Sequence, residues 1–196
     1  MDGSQLTPWL IRYAYSEGAF PMTMHDGEVE WFQPTRRALF PIEGIHVSRS
    51  LERTIRRGMF EISFDGAFEQ VIRGCFRPED NWLSEDFVRV YTEIHRQGWG
   101  HSAECWSEGQ LVGGVYGIAI GSCFCAESMF HRKTDASKVA LWALVNRCRE
   151  LGFTVFDAQI MNPHLASLGA FEVPHSRYMQ MLSDALTKGT EWSAEL

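Results

Sequence analysis

Residues 111–159 read LVGGVYGIAIGSCFCAESMFHRKTDASKVALWALVNRCRELGFTVFDAQ. The runs QLVGGVYGIAIG (110–121) and SCFCAESMF (122–130) are rich in apolar residues over most of their length, which predicts two strands. From about Asp135 to Leu151 the pattern changes to that of a long helix, closed by Gly152, and FTVFDAQ (153–159) then predicts a buried strand. Strands and helices mixed in this way predict the α+β class, with a mixed sheet packed against helices.

Upstream, MFEISF (59–64) predicts a strand, and DGAFEQVIRGC (65–75) a helix capped by Asp65. SEDFVRVYTEIHRQG (84–98) predicts a second helix, capped by Ser84 and ended by Gly98. HSAECWS (101–107) is a strand joined to the next through a turn at Glu108-Gly109. Downstream, Asn162-Pro163 opens a short helix through Leu168, and PHSRYMQML (174–182) predicts a last one. Near the start, Thr7 as N-cap and Pro8 at the first helical position open a helix over 7–18 that Gly18 closes. Pro34, Pro41 and Gly44 interrupt regular structure, so a small N-terminal domain over 1–38 is expected before a main domain over 39–196.

A chain of 196 residues with 45% hydrophobic and 22% charged residues is globular in composition, which excludes a disordered chain. No apolar run approaches the roughly 20 residues of a membrane helix. The first thirty residues lack the pattern of a secretory signal, so a cytoplasmic location away from membranes is expected. Cys75, Cys105, Cys123, Cys125 and Cys148 are odd in number and lack C-x-x-C spacing, so buried free thiols are expected. The seven histidines lack ligand spacing; neither a metal nor a cofactor is expected. His101, Ser102 and Glu104 are strand neighbours rather than a hydrolase triad. A net charge of −7 argues against a nucleic-acid partner, but the distribution qualifies that. Arg36, Arg37, Arg49, Arg53, Arg56 and Arg57 lie between Trp31 and Phe60 against only Glu43 and Glu52. Ser48 caps a helix that carries four of them: a phosphate-facing surface, or a solvated face.

From Met59 the element order, β-α-α-β-β-β-α-β-α, is that of the GNAT-like N-acyltransferase fold. Enzymes of that topology hold the pyrophosphate of acyl-CoA on a Gly-containing loop after the central strand. Here that junction, ESMFHRKTDASKVAL (127–141), contains no glycine, which favours an acyl donor other than CoA. Asp157 and Gln159, two apart on a strand, share a face and suit the handling of an amine. Glu127 ends an apolar strand, where a lone acid demands a partner: an arginine of the protein, or a cationic substrate. Val115, Phe124, Met129, Leu141 and Phe156 form either core or an apolar pocket. Gly113, Gly114 and Gly117 imply close approach of another backbone, a ligand or tight packing.

EGAFPM (17–22), Pro34-x-x-Arg37-Ala38, HVSRSL (46–51), AFEQVIRGC (67–75), HSAECW (101–106), LVGGVYGIAIG (111–121), ESMF (127–130), ASKVAL (136–141) and SLGA (167–170) resemble, in collinear order, the bacterial leucyl/phenylalanyl-tRNA–protein transferases. The resemblance implies transfer of leucine or phenylalanine, sometimes methionine, from charged tRNA to proteins beginning with arginine or lysine, marking them for degradation. It implies a small domain before a GNAT-like one, and a monomer without a cofactor. Residue by residue it implies that Trp82 stacks on the terminal adenine of tRNA and that Met22 faces it where some members carry a second tryptophan. Val115, Phe124, Met129, Leu141 and Phe156 would line the side-chain pocket, and the smaller Val115 would shift the balance between leucine and phenylalanine. Glu127, Asp157 and Gln159 would form the polar centre, Asp157 acting as base or as orienter and Glu127 holding the cationic acceptor. The six arginines of 36–57 would contact the tRNA body. The alternatives are an acyl-CoA N-acyltransferase and a non-catalytic module that binds aminoacyl-tRNA or degrons.

Overall fold

The computed structural model describes residues 1–24, 26–77 and 83–192. Thr7 Oγ1 accepts from the amide of Leu10 and Pro8 sits in the first turn, so α1 (Pro8–Ser16) begins where the sequence places it. Gly18, at φ 78°, then turns the chain into the hairpin of β1 (Phe20–Thr23) and β2 (Val29–Phe32). The main sheet takes β3 (Arg36–Phe40), β4 (Glu61–Phe64), β5 (Gly100–Ser107), β6 (Gln110–Ile120), β7 (Cys123–His131), β8 (Val155–Gln159) and β9 (Phe171–Pro174), in the order β4-β5-β6-β7-β8-β3-β9. All pairings are antiparallel except β7 with β8, which makes the sheet mixed.

The Glu108-Gly109 turn joins β5 to β6 with both residues at positive φ, as a two-residue hairpin requires. Two strands of the main sheet, and the β1–β2 hairpin before it, escape the sequence reading. The segment that the prolines interrupt contains β3, an inner strand between β8 and β9, and β9 itself is short and edge-lying.

Helices cover both faces. On one lie α1, α3 (Phe68–Gly74), α4 (Glu85–Arg96) and α7 (His175–Leu186), packed with the β1–β2 hairpin over Tyr116, Ile118, Cys123, Cys125 and Val155. On the other lie α2 (Arg49–Arg56) and α5 (Ala136–Glu150), over Phe40, Val112, Val115, Phe124 and Phe156. The short α6 (Pro163–Ser167) follows, capped by Asn162. With both faces covered, β6 is buried along almost its whole length. All five cysteines are buried thiols.

Two local expectations are corrected, and one open alternative is decided. Asp65 does not cap α3; at φ 60° it turns its carboxylate onto the Ser102 amide and the His101 ring, tying β4 to β5. Ser84 precedes α4 without a side-chain capping bond. The β6 glycines are accounted for by packing: a Cβ on Gly113 would stand 2.6 Å from that of Ala136, so its absence seats the start of α5 on the sheet. One on Gly117 would meet the Cys125 carbonyl.

Candidate active site

β7 and β8 pair only from Cys123–Cys125 to Val155–Asp157. Beyond that β7 stays with β6 as far as His131, while β8 stays with β3 and ends at Gln159 opposite Ala38. The two parallel strands therefore part, and a wedge opens between Ala126–Met129 and Ala158–Gln159, all half-buried. A register irregularity where β6 passes Tyr116 and Gly117 leaves Glu127 without a partner across the strand and aims it at the helices of the first face.

Glu127 and Gln159 meet across this wedge. Gln159 Nε2 donates to Glu127 Oε1 at 3.1 Å. Tyr15 of α1 donates to the same oxygen at 2.7 Å and Tyr91 of α4 to Oε2 at 3.0 Å, with the two hydroxyls 3.0 Å apart. The partners of Glu127 are thus three neutral donors; of the two mates the sequence allows, an arginine of the protein is not found on it among the described residues. Neutral donors stabilise a carboxylate less than a cation does, so burial dominates and pushes the Glu127 carboxyl up to about 7, the three hydrogen bonds opposing it. Burial and the Glu127 charge hold the Tyr15 and Tyr91 hydroxyls well above the usual tyrosine range, so both stay donors.

Asp157, one step deeper, is fully buried. Its oxygens accept from Arg37 Nε at 2.8 Å, Arg37 Nη2 at 2.6 Å, the Tyr178 hydroxyl at 2.9 Å and the Gln159 amide at 2.9 Å. Arg37 spends its remaining nitrogen on the Gly18 carbonyl and lies between the rings of Phe20 and Tyr178, 4.8 and 4.5 Å from their centroids. The bond from Asp157 to the Gln159 amide matters because Gln159 sits at φ 62°, a conformation that costs a non-glycine residue free energy. Asp157, itself fixed by Arg37 and Tyr178, holds Gln159 in the bend that turns its amide toward Glu127.

Val115, Phe124, Leu141 and Phe156, each at most 2% exposed, lie in one cluster on the opposite face. Val115 pairs with Met129 and Phe124 with Phe156 across the strands, the two rings stacking at 5.3 Å. Half-buried Met129 is where this cluster reaches the wedge. Met22, on β1, is half-buried against the other core, and Trp82 lies outside the described residues.

The arginines divide. Arg49, Arg53, Arg56 and Arg57 are exposed along α2 and its C-cap, without ion pairs among the described residues, while Leu51 is buried beneath. Arg36 is exposed and pairs with Glu172. Arg37 is the correction: expected to face tRNA, it is 0% exposed and pinned to Asp157, because alternation along β3 turns neighbouring residues to opposite faces. The sequence reading also missed Tyr15, Tyr91 and Tyr178. Their signal was available, since a hydroxyl in the apolar stripe of an amphipathic helix needs a buried partner.

The sequence profile described as leucyl/phenylalanyl-tRNA protein transferase matches residues 39–183, and that of its N-terminal domain matches residues 4–35. Proteins named leucyl/phenylalanyl-tRNA–protein transferase from Chlorobium luteolum, Herpetosiphon aurantiacus and Ruegeria pomeroyi are 50%, 46% and 45% identical to the chain. The alignments cover 90%, 93% and 96% of this chain and 94%, 95% and 91% of those relatives. The solved structure of L-PGS from Bacillus licheniformis aligns with a TM-score of 0.43 at 13% identity, over 76% of this chain and 50% of that one, too loose a likeness to bear on the fold. With its wedge, its polar centre and these matches along nearly its whole length, the chain belongs to the leucyl/phenylalanyl-tRNA–protein transferase family, enzymes that move an aminoacyl group from tRNA to protein.

Proposed function

We propose that the β7–β8 wedge is where this transferase acylates the α-amine of a protein beginning with arginine or lysine, taking leucine or phenylalanine, and also methionine, from charged tRNA. The observation that carries the reading is the Glu127–Gln159 contact across the wedge, beside the one pocket residue, Met129, that reaches it. The aminoacyl side chain enters among Val115, Phe124, Met129, Leu141 and Phe156, where methionine is the adaptable wall. The amine nitrogen attacks the ester carbonyl, forming an amide as the bond to the ribose oxygen breaks. Gln159 orients the amine, Glu127 takes its proton, and the ribose oxygen is protonated as it leaves. An α-amine titrates at about 7.7 to 8.0, close enough to the Glu127 value for transfer in either direction. Asp157, with its oxygens already spent on four donors, acts as the orienter of Gln159 rather than as the base.

The terminal adenine rests against Trp82 and Met22, and Arg49, Arg53, Arg56, Arg57 and Arg36 meet the tRNA body. The order of elements supports a GNAT-like domain over 39–196, and the separate match over 4–35 a small domain over 1–38. No described helix is long and apolar enough to cross a membrane; we place the enzyme in the cytoplasm as a monomer that marks proteins for degradation.

The test is transfer of labelled leucine and phenylalanine, from separately charged tRNAs, onto peptides differing only in an N-terminal arginine or alanine. Label in the arginine peptide alone is the expected result; equal labelling of both refutes the acceptor class.

A further inference from the structure

Remote from the wedge, the outer face of α1, the start of β5, the β6–β7 turn and the chain after α7 enclose a cavity of about 490 Å3. Gly121 on its wall is six residues from Glu127 along the strand, roughly 20 Å at strand rise. That volume falls in the range of small-ligand sites, about 300 to 1,000 Å3.

Its walls are aromatic and its charges positive. Trp9 and Tyr13, one helical turn apart, stack with centroids at 5.6 Å and stand 72% and 54% exposed. Large apolar rings are rarely left so open without a partner. Arg12, between them in sequence, reaches over the Trp99 ring at 5.8 Å, and Lys188 adds a second cation. In a chain of net charge −7, no carboxylate lines this cavity among the described residues.

Two lining residues also carry unmet hydrogen-bonding capacity. His101 is 4% exposed, with Nδ1 held by Asp65 at 2.9 Å and Nε2 buried without a partner. Trp192 stacks on that imidazole at 4.1 Å, and its Nε1 is likewise buried and unpaired. Buried polar atoms are normally satisfied, so an imidazole nitrogen and an indole N–H left unpaired in one stacked pair mark a place for a ligand's hydroxyl or base edge.

We propose that this cavity binds a nucleoside 5′-phosphate, its base on the Trp9–Tyr13–Trp99 surface, its phosphate on Arg12 and Lys188, and its polar edge on His101 and Trp192. Stacked aromatics accept any base face, and two cations with no carboxylate among the described lining residues select a phosphate over a peptide amine. The ligand is either a free nucleotide or an unpaired residue of the tRNA substrate, and the site is separate from the wedge in both cases.

The test titrates AMP into the full-length 15N-labelled chain and follows the indole resonances. The expected result is movement of the Trp9, Trp99 and Trp192 signals while Trp31 and Trp142 stay still. Trp9→Ala and Arg12→Gln, at surface positions, should each weaken AMP binding about tenfold, and adenosine should bind more weakly than AMP. If Trp9→Ala also weakens uncharged tRNA and AMP competes with it, the nucleotide belongs to tRNA. If tRNA binding is unchanged and AMP does not compete, the ligand is free. Shifts confined to other indoles, or none at all together with unchanged tRNA affinity in Trp9→Ala, would overturn the proposal.

Discussion

Glu127 and Asp157 are carboxylates joined through one glutamine, and their surroundings give them different work. Asp157 faces a guanidinium and is fully buried, a pair that is costly to break from one side. Asp157→Asn leaves Arg37 charged and uncompensated, and thermal or urea unfolding should show a loss of about 3 to 5 kcal/mol. Its transfer activity should fall, and the acid limb of the pH profile should move to lower pH, because the Asp157 charge is one of the causes that raise the Glu127 carboxyl. Glu127 faces only neutral donors, and burial raises its carboxyl to about 7. Tyr91→Phe removes one stabilising bond from the carboxylate form, so the acid limb of transfer should move to higher pH. A limb that stays in place after that change would show that Glu127 is not the group titrating.

At the scale of elements, α2 presents arginines to solvent and only Leu51 and Ile55 to the core. Neutralising Arg49, Arg53, Arg56 and Arg57 to glutamine should leave folding intact and weaken tRNA binding. It should also flatten the plot of log affinity against log salt by about 0.7 to 0.9 per lost phosphate contact. Arg37→Gln should instead lower stability and leave the salt slope unchanged, which a parallel titration checks.

That contrast shows where the sequence was legible. The α2 arginines follow a helix whose cap and spacing can be read. Arg36 and Arg37 fall in a proline-flanked pentapeptide whose strand character comes from pairing with β8 and β9, distant in sequence. Without knowledge of β3, alternate exposure of the two cannot be deduced. The same holds for Asp65, whose capping position was plausible locally and was overridden by bonds to β5.

At the scale of the molecule, the order of elements from β4 to α6 was readable because each segment carries its own periodicity and stop signals. The site was readable in part: the carboxylates and Gln159 stand out as polar residues in apolar strands, whereas Tyr15, Tyr91, Tyr178 and Arg37 reach them across 21 to 120 residues. Concentrating buried acids in this way has a consequence for stability. Burial raises both Glu127 and Glu104, so the folded state holds these protons more tightly than the unfolded chain does. Their contribution is most favourable while both states are protonated and is lost as pH rises, for Glu127 between about 4.5 and about 7. Glu127→Gln should therefore gain melting temperature relative to the wild type between pH 5 and 7.5, as calorimetry at the two values would measure.

The most direct test of the account is single-turnover transfer of leucine from charged tRNA to an arginine-initiated peptide, by wild type and Glu127→Gln, across about pH 5.5 to 9. The wild type should lose rate as pH falls through about 7. The variant, folded and still binding tRNA, should be slower by about a hundredfold or more and keep only the titration of the amine itself. A variant with near-wild-type rate and an unchanged acid limb would contradict the assignment of Glu127 as the proton acceptor.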